Sequence, residues 1–216
     1  MGHTQFIPTS YQAYAVDVDG DGRRNIWTSP ADALGSAANL LAKSGWVSGK
    51  TWGYEVVVPE HFDFRRADEK TARTIAQWEK LGIRRPEGVF PHHDDKATLM
   101  LPAGARGPAF LILRNHYVIK HYNNATSYAL GVGHLADRLR GGGPIAQAWP
   151  TSDRPLTRTE MKELQTHLSA AGYYSGEIDG SIGAGSREAI RAYQSRIGMA
   201  PDGHAGVGLL SLLRER

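Results

Sequence analysis

Apolar residues recur at helical spacing through most of the chain, and strand-like runs are confined to its middle. The segment Ala33 to Leu41 is small and apolar, which suits a closely packed helix. Ser29 is placed to cap that helix, Pro30 falls at its first position, Asp32 lies in its first turn, and Gly45 ends it. Residues 9–14 read as a short helix or turn. Thr71, Ile75, Trp78 and Leu81 recur at helical spacing and predict a helix over 65–81. Tyr54 to Val58 reads as a strand that Pro59 stops, and Ala97 to Leu101 as another. Ala109 to Leu113 and Tyr117 to Tyr122 predict two more strands, joined by the turn Arg114-Asn115-His116. Tyr128 to Leu139 predicts a helix with Leu130, His134, Leu135 and Leu139 on one face, stopped by Gly141-Gly142-Gly143-Pro144.

Residues 141–155 are rich in Gly, Pro and Ser and read as an interdomain linker. Three helices follow, at Leu156–Gly172, Ser186–Ile197 and Val207–Leu213. About 60 residues in three helices is a minimal but feasible core. Asp179-Gly180 and Asp202-Gly203 form a weak internal echo, each following a glycine-containing turn and preceding a helix. The fold class is α+β, mostly α.

Composition narrows the functions. The chain has 216 residues, 41% of them hydrophobic and 22% charged, which is ordinary for a globular protein. A net charge of +3, with no Lys/Arg run, argues against a nucleic-acid partner. The absence of cysteine excludes disulfides, thiolate metal sites and a cysteine nucleophile. There is no apolar run of about 20 residues and no stretch that reads as a signal peptide.

Two constellations carry chemistry. Asp17, Asp19 and Asp21 occupy positions 1, 3 and 5 of a loop, with Gly22 at position 6 where a sharp turn needs it. Alternating carboxylates of this kind converge on one point, as calcium with its six to eight oxygen ligands requires. Arg23 offers a backbone carbonyl at position 7. Position 12 is Thr28 and not glutamate, so Asp32 is the candidate to close a longer loop around Ca2+. The bland alternative is an Asp/Gly-rich turn without metal. The second constellation sets Gln5, Phe6, Ser10 and Tyr11 beside Tyr122-Asn123-Asn124 and Tyr128. Amides, phenols and aromatic faces suit carbohydrate, which offers hydroxyls to bond and flat C–H faces to stack. The alternative is that the aromatic residues are core and the asparagines turn formers. His92-His93-Asp94-Asp95 reads as a solvated loop, and His134 as a core group.

The residues resemble the membrane-bound lytic transglycosylase B family of bacterial peptidoglycan enzymes. The resemblance rests on Met-Gly-x-x-Gln-Phe-x-Pro-x-Ser-Tyr at Met1 to Tyr11, the Asp-Gly-Asp-Gly loop and Pro30-Ala31-Asp32-Ala33. It continues through Trp52-Gly53-Tyr54-Glu55-Val56, Gly107-Pro108-Ala109-Phe110, Tyr122-Asn123-Asn124 and Trp149-Pro150. Residues 156–216 resemble a small three-helix peptidoglycan-binding domain, through Leu164-Gln165, Tyr193-Gln194 and the two Asp-Gly turns. The resemblance implies a lysozyme-like, N-terminally truncated transglycosylase domain over 1–150, a linker at 151–155 and a binding domain over 156–216. The implied reaction cleaves the bond between N-acetylmuramic acid and N-acetylglucosamine without hydrolysis, leaving a 1,6-anhydro-muramic end. One glutamic acid serves as acid and then as base on the muramic C6 hydroxyl. Gln5, Phe6, Ile7, Tyr122, Asn123 and Tyr128 are implied to face the glycan strand. The implied location is the bacterial envelope or periplasm, with membrane association only through an anchor upstream.

One departure from the family is serious. The family's catalytic glutamate lies upstream of the Gly-x-x-Gln-Phe motif, and Met1 coincides with a methionine internal to the family. The expectation is a polypeptide without that acid. The rival expectation is a non-catalytic peptidoglycan-binding protein.

Overall fold

The computed structural model describes residues 1–67 and 71–215. In chain order the elements are α1 (Pro8–Tyr14), α2 (Pro30–Lys43), β1 (Gly53–Val56), β2 (Arg73–Thr74), α3 (Ile75–Lys80), β3 (Lys96–Met100), β4 (Ala109–Ile112), α4 (Arg114–Tyr122), α5 (Thr126–Leu139), α6 (Arg158–Ala170), α7 (Ala184–Arg196) and α8 (Val207–Arg214). The protein is mostly helical with one small sheet. It forms two compact units, Met1–Gly53 with Leu113–Gly142, and Tyr54–Ile112 with Gly143–Arg216.

The first unit holds α1, α2, α4 and α5. Phe6, Ala15, Ile26 and Leu40 form a buried cluster, with Tyr11, Tyr14, Leu41 and Tyr122 packed against it. Burying a side chain such as Phe6 contributes roughly 1.5–3 kcal/mol. Helix α2 starts as its sequence dictates: the Ser29 hydroxyl accepts the Asp32 N–H at 3.2 Å, with Pro30 in the first turn. The Ser36 hydroxyl accepts the Val16 N–H at 3.0 Å and the Asn39 amide donates to the Tyr14 carbonyl at 2.8 Å. These bonds tie the chain between α1 and α2 to the face of α2.

Helix α4 replaces a predicted strand and turn. Its buried residues are Asn115, His116, Val118 and Ile119, a spacing of one helical face. Two of the four are polar, so the apolar pattern hides the period. Asn115 is buried because it works as a backbone clamp. Its carbonyl accepts the Val47 N–H at 2.9 Å, and its amide donates to the Val47 and Lys50 carbonyls at 3.0 and 2.8 Å.

Helix α5 forms where expected but is rotated. Ala129, Leu130 and Gly133 are buried, while Leu135 and Leu139 are 58% and 81% exposed. Trp52 sets the rotation. Its indole lies against Gly133, where a Cβ would stand 2.5 Å from a ring carbon, and its N–H donates to Asp137 at 2.7 Å. The face that admits a flat indole turns inward, and the leucine face turns out.

The second unit carries the sheet, in strand order β1-β4-β3-β2, with β2–β3 and β3–β4 antiparallel. Strand β1 ends two residues before the predicted Val58, and Val57 then bridges Arg84. The helix predicted over 65–81 shrinks to the six residues of α3. Thr74 and Gln77 form a capping box that starts the helix there, and Arg73–Thr74 are held as a strand against Ala97–Lys96. Part of the predicted helix, residues 68–70, lies outside the described residues. Trp78 is fully buried and its indole donates to the Ala97 carbonyl at 2.9 Å.

Helices α6, α7 and α8 enclose Leu156, Leu164, Leu168, Ala189, Ile190, Tyr193, Leu209, Leu210 and Leu213. Thr157 and Glu160 form the capping box of α6. Two buried glutamines staple this part in the same way. The Gln165 carbonyl accepts the Gly180 N–H at 2.8 Å, and its amide donates to Asp179 Oδ1 at 3.1 Å. The Gln194 carbonyl accepts the Gly203 N–H at 2.9 Å, and its amide donates to Asp202 Oδ1 at 2.7 Å. The sequence echo at the two Asp-Gly turns is therefore a structural repeat, with a helix glutamine as its hidden half. Residues of the predicted linker are tied down within this unit. Asp153 accepts from the Arg106 guanidinium at 2.6 Å and from the Gly208 N–H at 2.9 Å, and Pro155 bridges Gly206.

Candidate functional site

The predicted glycan-facing residues all lie in the first unit. The N-terminal segment turns tightly: His3 N–H donates to the Ile26 carbonyl at 2.9 Å and Phe6 N–H to the Met1 carbonyl at 3.2 Å. Only glycine fits at position 2, since a Cβ there would lie 2.4 Å from the Ile26 carbonyl oxygen. Gln5 is exposed and holds a φ of +54°, the sole positive φ of a non-glycine residue among those described. Its amide donates back to the Gly2 carbonyl at 2.9 Å. Such a conformation costs of order 1–3 kcal/mol and persists where the surroundings impose it.

Phe6 is buried and lies beneath this turn. Its ring is 5.8 Å from that of Tyr122, which stacks on Tyr128 at 6.3 Å with an interplanar angle of 16°. The Tyr122 hydroxyl donates to the Thr4 carbonyl. Burial pushes the Tyr122 phenol pKa up, so this group remains a donor at neutral pH. Phe6 thus supports the wall from below, while Gln5, Ile7, Asn123 and Tyr128 are exposed and Ser10 is half-buried. Asn123 also shapes its own turn, accepting the Ala125 N–H at 3.0 Å. Tyr11 leans away from this cluster: its ring packs on Trp27 at 5.3 Å and its hydroxyl donates to the Arg24 carbonyl. Thr4 was not legible as part of the site. It is buried, and its contribution is a backbone carbonyl, which any residue type supplies.

The aspartate loop closes on itself. One carboxylate oxygen from each of Asp17, Asp19, Asp21 and Asp32 lies within 4.8 Å of the others. Asp32 is fully buried at the start of α2. One of its oxygens accepts the Val18 N–H and the other the Asn25 N–H, both at 2.7 Å. The Val18 N–H foremost holds the Asp32 pKa below the usual carboxylate value, against the opposing effect of burial. Asp17 accepts from Gly20 and Gly22 at 2.7 and 2.9 Å, and Asp19 accepts the Ser29 hydroxyl at 2.8 Å. Arg23 donates its N–H to Asp21 at 2.8 Å and its side chain is exposed. Thr28 accepts the Asn25 side-chain amide and stays outside the carboxylate group. The donor set is all hard oxygen and carries four negative charges, which fits calcium and not a nitrogen- or sulfur-seeking metal. Each carboxylate keeps lone pairs beyond its backbone bonds.

No glutamate lies in the sequence of this unit, residues 1–53 with 113–142. Its remaining acid, Asp137, is bound to Trp52. In the second unit Glu55 accepts the Ala146 and Gln147 N–H groups, both at 2.8 Å, and Glu79 pairs with His93 at 2.7 Å. Glu69 lies outside the described residues. His92 and His93 are exposed and His134 is half-buried.

The chain belongs to the transglycosylase SLT domain family, whose model matches residues 1–137, and a peptidoglycan binding domain model matches residues 157–213. Over 144 residues the chain is 36% identical to membrane-bound lytic murein transglycosylase B of Escherichia coli (strain K12), covering 64% of this chain and 37% of that protein. The crystal structure of SltB3 from Pseudomonas aeruginosa, in complex with NAG-anhNAM-pentapeptide, matches with a TM-score of 0.93 at 49% identity, over 99% of this chain and 58% of that one. The Escherichia coli lytic transglycosylase Slt35 in complex with calcium matches with a TM-score of 0.51 at 34% identity, over 65% of this chain and 44% of that one. The chain thus spans between 37% and 58% of the length of these relatives.

Proposed function

We propose that residues 1–150 are the glycan-holding part of a lytic transglycosylase domain, joined through 151–155 to a peptidoglycan-binding domain at 156–216. The substrate is the glycan strand of peptidoglycan. The reaction is non-hydrolytic cleavage between N-acetylmuramic acid and N-acetylglucosamine, leaving a 1,6-anhydro-muramic end. The observation that carries this reading is the Phe6–Tyr122–Tyr128 ladder locked to the Thr4 carbonyl. It joins two distant stretches into one wall on which Gln5, Ile7, Ser10, Asn123 and Tyr128 meet the sugar. The relatives' ligands, muropeptides with and without an anhydro end, are of the same chemical class.

The wall orients the strand but supplies no proton. The resemblance assigns leaving-group protonation to a glutamic acid, and the sequence of this unit has none. The four loop aspartates are held by backbone and hydroxyl donors around one point, as structural anions. We therefore take the 216-residue chain to bind the glycan without the catalytic acid. The same observation favours a second reading, a non-catalytic peptidoglycan-binding protein. Anhydromuropeptide analysis after incubation with peptidoglycan sacculi tests the point.

Asp17, Asp19, Asp21 and Asp32, with the Arg23 carbonyl, would hold a structural Ca2+. Calcium there would neutralise clustered charge and fix the loop between α1 and α2. This function places the protein in the bacterial envelope, on the periplasmic side. No helix among the described residues is long and apolar enough to cross a membrane.

A further inference from the structure

The two glutamine-stapled turns differ in one atom's occupancy. At the second turn, Asp202 Oδ1 accepts from Gln194 and from the His204 N–H at 2.8 Å, and Oδ2 accepts the backbone N–H of Ala105 at 2.7 Å. At the first turn, Asp179 Oδ1 accepts from Gln165 and from the Ser181 N–H at 2.7 Å. The adjoining glycines, Gly180 and Gly203, hold nearly equal φ values of +75° and +73°. The hydrogen bonds that other described residues donate to Asp179 both fall on Oδ1, and its own backbone N–H and the Arg158 charge also act on the carboxylate. The half-buried Asp179 instead lines an open groove of about 580 Å³ with Tyr173, Tyr174, Ser181, Ser186 and Glu188.

The occupied turn shows what the open one is shaped to accept. The Ala105 N–H is acylated by Gly104, and a Cβ on Gly104 would stand 2.7 Å from Asp202 Oδ2 and 2.9 Å from the His204 Cβ. Ser181, at the position equivalent to His204, has a Cβ as well. The matching ligand group is a secondary amide whose acyl carbon carries no branch in the L position. An acetamido group, CH3–CO–NH, has that form, with its methyl standing where the Gly104 Cα stands. A carboxylate oxygen is an acceptor only, so it selects the N–H and not the carbonyl. The tyrosines beside it offer aromatic faces to the C–H face of a sugar ring.

We propose that Asp179 Oδ2 accepts the acetamido N–H of an N-acetylated amino sugar, seated in the groove between Tyr173, Tyr174 and the start of α7. This inference rests on reading residues 156–216 as peptidoglycan-binding and names the group recognised there.

The test uses the whole chain, with a local readout because the first unit also binds glycan on the proposed reading. An N-acetylglucosamine tetramer, its de-N-acetylated counterpart and a free stem peptide are titrated while the backbone amides of Gly180, Ser181 and Ser186 are followed by NMR. The N-acetylated tetramer should shift these amides saturably. In Asp179→Asn the side-chain carbonyl keeps the bonds from Gln165 and Ser181 and an NH2 replaces Oδ2, so the fold should persist while affinity falls about tenfold or more. Asp202→Asn should lower the melting temperature, through the lost Ala105 bond, and leave glycan affinity at the groove unchanged. Equal affinity in Asp179→Asn, or equal shifts with the de-N-acetylated tetramer or the stem peptide, would overturn the proposal. Sedimentation of the wild-type chain with sacculi separates the two levels. If the wild type fails to sediment, the peptidoglycan reading falls and this inference with it. If it sediments while the groove amides ignore the N-acetylated tetramer, this inference alone falls.

Discussion

The hydroxyl of Tyr122 donates to the carbonyl of Thr4, 118 residues away in sequence. This bond joins the end of α4 to the N-terminal turn and sets Phe6 beneath the wall. Tyr122→Phe keeps the ring and removes the donor. We predict a loss of about 1 kcal/mol in unfolding free energy, measured by urea denaturation, with the far-UV spectrum unchanged. An unchanged midpoint would mean that the rings alone hold the wall.

The Gln165 staple is internal to the three-helix part. Gln165→Leu keeps the side chain's approximate size but strands the Gly180 N–H in a buried place. The expected loss is about 1–3 kcal/mol. Thermal melts of the variant would show it, and a loss below 0.5 kcal/mol, roughly the floor for one hydrogen bond, would contradict the staple's role.

Calcium should stabilise the first unit. Binding to the native state alone raises stability by about 2.7 kcal/mol when free calcium is a hundredfold above its dissociation constant. Melting with calcium and with chelator should differ in the wild type. The difference should shrink in Asp17→Asn, which removes a charge while leaving an amide oxygen for the turn. Equal melting temperatures in the wild type would reduce the loop to an Asp/Gly turn.

His116 gives the protein a pH dependence. Its ring is buried beside Trp52 and Tyr117, and neither ring nitrogen has a hydrogen-bond partner among the described residues. Burial, then the Lys120 charge, pushes its pKa from 6.5 down to about 4. Between those values the unfolded chain binds the proton that the folded chain refuses. Its contribution is therefore full above pH 6.5 and is lost progressively as the pH falls toward 4. His116→Phe should flatten that part of the stability–pH curve. An identical slope in the variant would place the effect elsewhere.

The parts of the fold legible in the sequence are those whose local chemistry and packing agree. Ser29, Pro30 and Asp32 specify the start of α2 on their own, and the period is carried by leucines in α6 and α8 and by Ala189, Ile190 and Tyr193 in α7. Helix α4 was hidden because Asn115 and His116, polar residues, occupy its buried face. The rotation of α5 depends on Trp52, 81 residues before Gly133, so no local pattern encodes it. The carboxylates of the loop were legible because their spacing is the geometry itself. Of the aromatic wall, residue types were legible but not depth. Phe6 lies beneath the surface and Tyr128 upon it, a distinction set by packing against Ile26 and Leu40. The Asp-Gly echo was visible, whereas the glutamines that make it a repeat act across 15 and 9 residues.

The chain is proposed to hold peptidoglycan glycan on a unit whose sequence contains no glutamate. Incubating the 216-residue chain with sacculi, then resolving bound protein and soluble muropeptides by mass spectrometry, tests it most directly. The prediction is protein bound to the sacculi with no 1,6-anhydromuropeptides above the untreated control. Release of 1,6-anhydromuropeptides by this chain would contradict it.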